Sequence, residues 1–292
     1  MDDTPRRVLI AGCGRIGTRL GQRLAGRGDR VWGLRRRSDP LPDPLVSLPA
    51  DLTRPATLKG RLPEALDLLY YIATPGAYDD EAYRLAYVEG LKNLLSALDQ
   101  AGERPRLVFV SSTAVYGQTA GEWVDEDSPT EPAGFSGRRM LEAEAAALNA
   151  PLTSSVIRFG GIYGPGRTRM LHRVREGAPC VDQPPRYTNR IHEADCIGVL
   201  DHVGTLATPQ PRYLAVDNEP CPQCTLMDWL ADQLGLPRPS RSSAEGAPAR
   251  AGNKRCDNSR LRSSGYEFLY PSFRDGYADM LADQKTRGPT RR

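Results

Sequence analysis

Three glycines near the amino terminus have the spacing of a phosphate-binding turn. Gly12, Gly14 and Gly17 directly follow the apolar run Val8–Ala11. The first glycine permits a tight turn, the second lets backbone N–H groups approach a pyrophosphate, and the third allows close packing of a following helix. The start of that helix offers unpaired N–H groups and a partial positive charge to the phosphates. The residues predicted to bind a dinucleotide here are Gly12, Cys13, Gly14, Arg15, Ile16 and Gly17.

The residues about twenty positions after the glycines indicate which dinucleotide is bound. An NAD site places an acidic residue there, which accepts hydrogen bonds from the ribose 2′-hydroxyl. This chain has the run Arg35-Arg36-Arg37-Ser38 there instead. A guanidinium group binds a 2′-phosphate through paired hydrogen bonds, and a serine hydroxyl can add another. The sequence therefore predicts NADP(H); Asp39 keeps NAD as an alternative, and a solvated basic loop is the alternative without a function.

Apolar runs alternate with helical periodicities through the first half of the chain. Short β-branched runs have the composition of buried parallel strands. Apolar residues spaced three or four apart predict an amphipathic helix after Gly17 and a long one over Ala82–Ala101, and the composition of Met140–Leu148 predicts a third. The predicted strands are Val8–Ala11, Val31–Leu34, Leu45–Leu48, Leu66–Ile72, Leu107–Ser112 and Val156–Phe159. This alternation predicts an α/β fold of the Rossmann type, a doubly wound parallel sheet.

The alternating pattern ends near Gly164 and suggests two lobes. We predict a dinucleotide-binding Rossmann domain over residues 1–163, with a segment near 189–216 that returns to it. Residues 164–284, rich in proline and glycine, are predicted to form most of a smaller C-terminal substrate-binding lobe, which covers the carboxyl ends of the strands. Residues 285–292 are predicted to be a flexible tail.

Composition excludes several classes of partner. The chain has 292 residues with 39 basic and 36 acidic side chains, and a net charge of +3 creates no strong field for nucleic acid. No apolar stretch approaches the roughly 20 residues that span a bilayer. The six cysteines lack the spacing of a disulfide framework, and Cys221-x-x-Cys224 has no second pair for a metal. We expect a cytoplasmic protein with no metal, no membrane contact and no nucleic-acid partner.

Four further stretches resemble motifs of the extended short-chain dehydrogenases/reductases, the group that contains nucleotide-sugar epimerases and dehydratases. They are Ser111–Gly117, Arg158–Gly166, Asn189–Asp195 and Asn258–Arg262. The resemblance implies that Asp51 and Leu52 flank the adenine of the cofactor. It also implies that Ala73 and Thr74 lie along the cofactor and that Ser111 belongs to the cofactor site.

The resemblance fails at the residues that perform the chemistry. These enzymes use a Tyr-x-x-x-Lys pair, in which the lysine lowers the pKa of the tyrosine so that it exchanges protons near neutral pH. The aligned positions hold Ser136 and Met140, or Phe135 and Arg139 in a register shifted by one residue. Only Arg138 or Arg139 could replace the charge of the lysine. The chain therefore resembles atypical members of the superfamily, including a bacterial epimerase-like group of undefined activity.

The remaining candidates for proton transfer follow strands. Ser112 could hydrogen-bond a substrate oxygen, and Thr113 is the next candidate. Tyr163 could replace the missing tyrosine as an acid, as could Tyr116, although packing of the Tyr116 ring is the more frequent role for such a residue. His192 lies in a stretch that places groups near the substrate in the resembling enzymes, and a structural histidine is an equal alternative.

Two functions remain in competition. The first is an NADP(H)-dependent, epimerase/dehydratase-like oxidoreductase with a non-standard proton donor, in which the cofactor carries the hydride. Its substrate would be a small molecule, a nucleotide sugar or a carbonyl compound, and the protein a monomer or homodimer. The alternative is a catalytically silent module that senses NADP(H) and signals to a partner. Both predict cofactor binding, so only turnover distinguishes them.

Overall fold

The computed structural model describes residues 4–37, 39–243 and 252–287. Its strands are β1 (Arg7–Ala11), β2 (Arg30–Arg35), β3 (Val46–Pro49), β4 (Leu68–Tyr71), β5 (Arg106–Ser112), β6 (Glu122–Val124), β7 (Ser154–Phe159), β8 (Gly161–Tyr163), β9 (Cys180–Gln183), β10 (Tyr187–Thr188), β11 (Arg190–His192), β12 (Arg212–Ala215), β13 (Cys221–Pro222), β14 (Arg241–Ser243) and β15 (Lys254–Cys256). Its α-helices are α1 (Arg15–Ala25), α2 (Asp80–Tyr83), α3 (Gly90–Gln100), α4 (Phe135–Leu148), α5 (Arg169–Arg175), α6 (Glu193–Thr205), α7 (Gln223–Leu234), α8 (Ser259–Ser263) and α9 (Phe273–Arg287). Short 3₁₀ turns cover Pro55–Thr57 and Thr113–Val115.

Seven strands form one sheet in the order β12-β7-β5-β4-β1-β2-β3. The pairs of β1 with β2 and β4 are parallel, as are those of β2 with β3 and β4 with β5. Every residue of β4 is buried, which is typical of a strand covered on both faces by helices. The predicted α/β fold with a doubly wound parallel sheet is confirmed. The carboxyl ends of the strands lie at one edge, where such sheets bind ligands.

The long helix predicted over Ala82–Ala101 is interrupted. Between α2 and α3 the chain forms a π-helical turn over Arg84–Glu89. The Tyr71 hydroxyl of β4 donates to the carbonyl of Ala86 within this turn, at 2.6 Å. Gly90 permits the approach, because a Cβ there would lie 2.6 Å from that hydroxyl oxygen. The apolar periodicity predicted the helix but carried no signal for this wider turn.

The chain forms two compact units. The first comprises Met1–Val115, Pro132–Arg158 and Ile197–Tyr213, and the second comprises Tyr116–Glu131, Phe159–Cys196 and Leu214–Arg292. Residues 116–131 thus lie in the second unit, although the sequence placed them in the first domain. Helix α9 extends to Arg287, into the predicted tail, and residues 288–292 lie outside the described part of the chain.

The second unit has its own hydrophobic core, which includes Leu171, Met227 and Phe273. Cys180 and Cys224 form a disulfide within this core. The spacing of the cysteines gave no sign of this disulfide, because 44 residues separate the two partners in sequence and only the fold brings them together. No helix within the described ranges is both long and apolar enough to span a bilayer.

Candidate functional site

The glycine turn at the carboxyl end of β1 is fixed by contacts with two neighbouring strands. The N–H groups of Gly12 and Cys13 both donate to the carbonyl of Leu34 in β2, at 3.0 and 2.9 Å. Gly12 has a φ of +81°, and a Cβ there would lie 2.5 Å from the backbone of Ala73, which follows β4. Only glycine fits this position without displacing backbone.

Gly14 has a different role, because it faces open space. It is the N-cap residue of α1, and the nearest atom to a Cβ at this position would be the Gly12 carbonyl oxygen, 3.9 Å away. The N–H groups of Arg15, Ile16 and Gly17 in the first helical turn have no acceptor within the helix. That turn contains no acidic side chain that would compete with an anion. The local geometry therefore fits a phosphate at the start of α1.

A cavity of about 520 Å³ lies in the first unit at the carboxyl ends of β1, β2, β3 and β4. Most of the predicted cofactor residues line it together: Gly12, Cys13, Gly14, Arg35, Arg36, Asp51, Leu52, Ala73 and Thr74. Arg15, Ile16 and Gly17 do not line the cavity; they begin α1, directly after Gly14. The volume and lining suit a small-molecule cofactor.

The sequence missed part of the cavity wall. The additional lining residues are Leu34, Ala50, Thr53, Gly76, Ala77, Ala82, Leu85 and Ala86; Arg37, from the arginine run noted in the sequence, lines the cavity as well. Several of them lie within one or two residues of predicted cofactor residues, so a prediction that included the flanking residues of each loop would have found them. Leu85 and Ala86 belong to the π-helical turn, which the periodicity did not reveal.

At the tip of β2 the arginines have different environments. The Arg35 guanidinium donates to the carbonyls of Asp39 and Pro40, at 2.6 and 3.2 Å, and so holds the following loop. Arg36 and Arg37 line the cavity with exposed side chains. Asp39 is exposed and is not among the lining residues. Ser38, proposed from sequence as a further phosphate ligand, lies outside the described residues.

The loop after β3 is held by Asp51. Its carboxylate accepts hydrogen bonds from the N–H and the hydroxyl of Thr53, at 2.9 and 2.8 Å, and its own N–H donates to the Thr57 hydroxyl. The side-chain amide of Asn93 in α3 donates to the carbonyl of Leu52, at 2.9 Å. These bonds fix the backbone that forms this wall of the cavity.

Ser111 does not lie in the cavity. Its hydroxyl donates to Glu144 of α4 at 2.5 Å, and Glu144 forms a paired ionic contact with Arg158 of β7 at 3.0 and 2.7 Å. All three side chains are buried. The hydroxyl of Ser111 therefore completes a buried ion pair, which the strand pattern alone could not distinguish from a cofactor contact.

Ser112 and Thr113 occupy the end of β5 and the short turn that follows. Both are half-buried, and the Ser112 oxygen accepts a hydrogen bond from the N–H of Ala114 at 3.2 Å. That bond leaves the hydroxyl proton available for donation to another oxygen. The position at the carboxyl end of a parallel strand is the one expected of a ligand-binding group.

Helix α4 carries the residues that the resemblance aligns with the family's acid–base pair. Ser136 and Met140 are buried, with 8% and 4% exposure. Arg139 donates to both oxygens of Asp80 at 2.8 Å and to Glu142 at 2.9 Å, and these hydrogen bonds raise its pKa. Arg138 donates to the Ala133 carbonyl at 2.6 Å. The Arg139 guanidinium is thus paired with two carboxylates, which disfavours its use in place of the lysine charge.

The tyrosines considered as acids both belong to the second unit. Tyr163 is 4% exposed, its ring stacks on Tyr277 with 4.5 Å between centroids, and burial raises its pKa far above the ordinary value. Its hydroxyl has no hydrogen-bond partner among the described residues. The Tyr116 hydroxyl donates to the carbonyl of Asp125 at 2.7 Å. Neither placement favours proton donation, and for Tyr163 the role stays a prediction.

The remaining candidate histidine is also held by the backbone. His192 of β11 accepts a hydrogen bond at Nδ1 from the N–H of Ala194, at 3.2 Å, and packs against Tyr163 and Tyr270. Its 4% exposure is that of a structural side chain. Within the described ranges, no three His, Cys, Asp or Glu side chains converge in a way that could hold a metal ion.

Comparisons with known proteins agree with this geometry. A structure from Methylobacillus flagellatus, provisionally described as an NAD-dependent epimerase/dehydratase, is 40% identical with a TM-score of 0.81, over 97% of this chain and 100% of the other. Protein YeeZ of Escherichia coli is 28% identical over 91% of this chain and 97% of its own. The 3-diazoavenalumate denitrifying reductase of a Streptomyces species is 29% identical over 92% and 98%. The model of the NAD dependent epimerase/dehydratase family matches residues 8–190. The chain belongs to the NAD dependent epimerase/dehydratase family and is an NAD(P)-dependent, epimerase-like oxidoreductase.

Proposed function

We propose that the protein is an NADP(H)-dependent oxidoreductase that reduces a small carbonyl compound or the sugar of a nucleotide sugar. The observation that carries the choice of NADP(H) is the charge at the tip of β2. Arg35, Arg36 and Arg37 line the cavity there, and Asp39 does not. A carboxylate that accepts from the ribose 2′-hydroxyl would favour NAD, whereas guanidinium groups favour a 2′-phosphate.

The residues of the first unit fit such a cofactor. Gly14 leaves room beside the first turn of α1, so the N–H groups of Arg15, Ile16 and Gly17 could donate hydrogen bonds to the pyrophosphate oxygens. Asp51 and Leu52 would border the adenine, and Ala73 and Thr74 the middle of the dinucleotide. When bound, the nicotinamide supplies hydride chemistry.

For the proton we propose Ser112, assisted by Thr113. The Ser112 hydroxyl would donate to the substrate oxygen and hold it in place, as hydroxyls do in sites that stabilise a developing negative charge. Its acceptor lone pair is occupied by the N–H of Ala114, which orients the hydroxyl. Tyr163 stays the alternative donor. The proton that the product gains would come from solvent and be relayed by this hydroxyl, because a serine side chain does not itself titrate near neutral pH. Ser112 is preferred to Ser136 because Ser112 is half-buried at the end of β5, whereas Ser136 is buried.

The reductase name of the Streptomyces relative supports reduction as the reaction. We propose that the protein is a monomer or a homodimer. We also propose that it is located in the cytoplasm, where NADPH is present. The second candidate is a catalytically silent NADP(H) sensor, which the burial of Ser136 and Met140 favours. Oxidation of NADPH, followed by absorbance with a panel of carbonyl compounds and nucleotide sugars, distinguishes the two.

Calorimetric titration with NADPH and NADH tests the cofactor assignment. We expect wild-type protein to prefer NADPH, and Arg36→Ala to lose about tenfold to a hundredfold in NADPH affinity while NADH affinity stays unchanged. Arg36 is the better target than Arg35, whose guanidinium also holds the Asp39 and Pro40 carbonyls. Arg104→Ala is the control, because Arg104 pairs with Asp99 away from the cavity lining. Equal affinity of the wild type for both cofactors would overturn the assignment.

A further inference from the structure

Three cysteines lie together in the hydrophobic core of the second unit. Cys180 belongs to β9, Cys221 to β13, and Cys224 to the first turn of α7. All three belong to one packed cluster, and none is more than 6% exposed. Cys180 and Cys224 are joined as a disulfide, whereas Cys221 is a thiol. None of them has a part in the cofactor site.

The sulfurs of Cys221 and Cys180 are each contacted by an arginine. The guanidinium nitrogens of Arg190 lie 3.5 and 3.6 Å from the Cys221 sulfur. Arg241 lies 3.0 Å from the Cys180 sulfur. A guanidinium beside sulfur stabilises a thiolate. Burial raises the pKa of the Cys221 thiol, and Arg190 opposes that rise.

The position of Cys224 favours its role as the shared partner. It is the second residue of α7, whose N-cap is Pro222, so its sulfur lies at the positive end of a 12-residue helix. Cys221 precedes it by three residues, the spacing at which two cysteines around a helix start can form a disulfide. The burial of all three sulfurs disfavours attack on the disulfide by an external thiol. Cys221, a thiol of the same buried cluster and three residues before Cys224 in sequence, is therefore the candidate nucleophile.

We propose that Cys221, Cys224 and Cys180 form a thiol–disulfide exchange site, in which Cys221 replaces Cys180 as the partner of Cys224. The Cys221 thiolate attacks the Cys224 sulfur, the Cys221–Cys224 bond forms, and the Cys180–Cys224 bond breaks. Cys180 leaves as a thiolate beside Arg241 and takes up the proton that Cys221 released. One disulfide and one thiol are replaced by another disulfide and another thiol, so there is no net oxidation or reduction and the step requires no oxidant or reductant.

The exchange changes which elements are covalently joined. In the described state the disulfide links β9 to α7; after exchange it links β13 to α7. Strand β9 stays in place because it pairs with β14, in which Arg241 also contacts Asp228 of α7 at 2.5 Å. Cys180 therefore remains close enough to return, and the exchange is reversible. This site is independent of the proposed cofactor and substrate.

Alkylation of the full-length protein tests the exchange. The native protein is oxidised with glutathione disulfide and freed of it, and acid quenching then stops thiol–disulfide exchange. The quenched protein is unfolded and alkylated with N-ethylmaleimide at acidic pH, so that buried thiols become accessible, and unreduced digestion with mass spectrometry locates each label and each disulfide. We expect the wild type to acquire label on Cys180 together with a Cys221–Cys224 disulfide. In Cys221→Ser, labelling of Cys180 should fall at least tenfold. Cys180→Ser, once oxidised, should contain the Cys221–Cys224 disulfide.

The matched control is Cys256→Ser, which removes another buried thiol of the second unit outside the cluster. It should label Cys180 as the wild type does. Circular dichroism establishes that each variant is folded. Equal Cys180 labelling in wild type and Cys221→Ser, or no Cys180 labelling in the wild type, would overturn the proposal. Free Cys221 and Cys224 in the oxidised Cys180→Ser protein would overturn it as well.

Discussion

The glycine turn after β1 and helix α4 retain different parts of the family pattern. The turn has both the backbone conformation and the open space that a phosphate-binding turn needs: Gly12 has a left-handed φ, and Gly14 leaves space at the start of α1. In α4, the residues that the resemblance aligns with the family's acid–base pair are Ser136 and Met140, which are buried and have side chains that do not titrate near neutral pH.

The difference separates binding from catalysis. A binding turn made of backbone N–H groups depends on a few glycines and survives as long as they do. An acid–base pair depends on two side chains, and each can be lost without unfolding the helix. In α4, Arg139 forms ion pairs with Asp80 and Glu142. The contacts of the helix are therefore those of a structural element.

The largest effect is expected from filling the space beside Gly14, which tests whether the glycine turn binds the cofactor. In Gly14→Val the side chain fills the open volume beside the first turn of α1, where the nearest atom to a Cβ is 3.9 Å away. We expect NADPH affinity to fall by more than about 100-fold, or roughly 2.7 kcal/mol, with an unchanged circular dichroism spectrum. Calorimetry measures the affinity.

The control for this variant is Gly134→Val. Gly134 is the N-cap of α4, has the same φ of −89° as Gly14, and has the same 3.9 Å to its nearest atom. It does not line the cavity, so NADPH affinity should stay at the wild-type value. A folded Gly14→Val protein that binds NADPH normally would reduce the glycine motif to a structural turn.

Substitution of Ser112 tests the catalytic half. Once a substrate is known, Ser112→Ala should lower kcat by about 10²-fold, the usual effect of removing one positioned donor, and leave NADPH affinity unchanged. Ser111→Ala is the neighbouring comparison: it removes a hydrogen bond to Glu144 and should lower stability instead of turnover. Normal kcat in Ser112→Ala would refute the assignment of the donor.

The local sequence was sufficient to predict the features that depend on spacing. The glycines, the strand before them and Arg36 lie within one strand–helix–strand unit, so neighbouring residues carry the signal. The lining residues Gly12, Cys13, Gly14, Arg35 and Arg36 were predicted for that reason, whereas Asp51, Leu52, Ala73 and Thr74 were predicted from the family resemblance. The disulfide between Cys180 and Cys224 was not, because its partners come from separate elements that only the folded second unit brings together.

Side-chain partners account for the other failures. The sequence alone gives no indication that Arg139 meets Asp80, which lies 59 residues earlier, or that Ser111 meets Glu144. Tyr163 looked suitable as an acid because it follows a strand near a turn. Its burial depends on Tyr277 and on Gly276, where a Cβ would lie 2.1 Å from the Tyr163 hydroxyl oxygen.

Introducing the family's tyrosine and lysine into α4 should lower the stability of the protein without raising its activity. Ser136→Tyr combined with Met140→Lys places a larger ring and a charge at two buried positions of a packed helix. We expect the free energy of unfolding to fall by about 1–3 kcal/mol from overpacking, with a further loss from the buried charge. Urea denaturation measures this. A stable double variant with higher NADPH oxidation would mean that the helix still belongs to a functional acid–base site.

Tyr163→Phe has the smallest expected effect and tests the last candidate for the lost tyrosine. The Tyr163 hydroxyl is buried and has no partner among the described residues, so its removal eliminates a desolvated polar group. We expect the free energy of unfolding to stay constant or rise by up to about 1 kcal/mol, with unchanged kcat. Tyr116→Phe is the matched variant, because that hydroxyl donates to the Asp125 carbonyl; it should lose about 1 kcal/mol. Urea denaturation and NADPH oxidation are measured on both. A tenfold lower kcat in Tyr163→Phe at unchanged stability would assign proton donation to Tyr163 in place of Ser112.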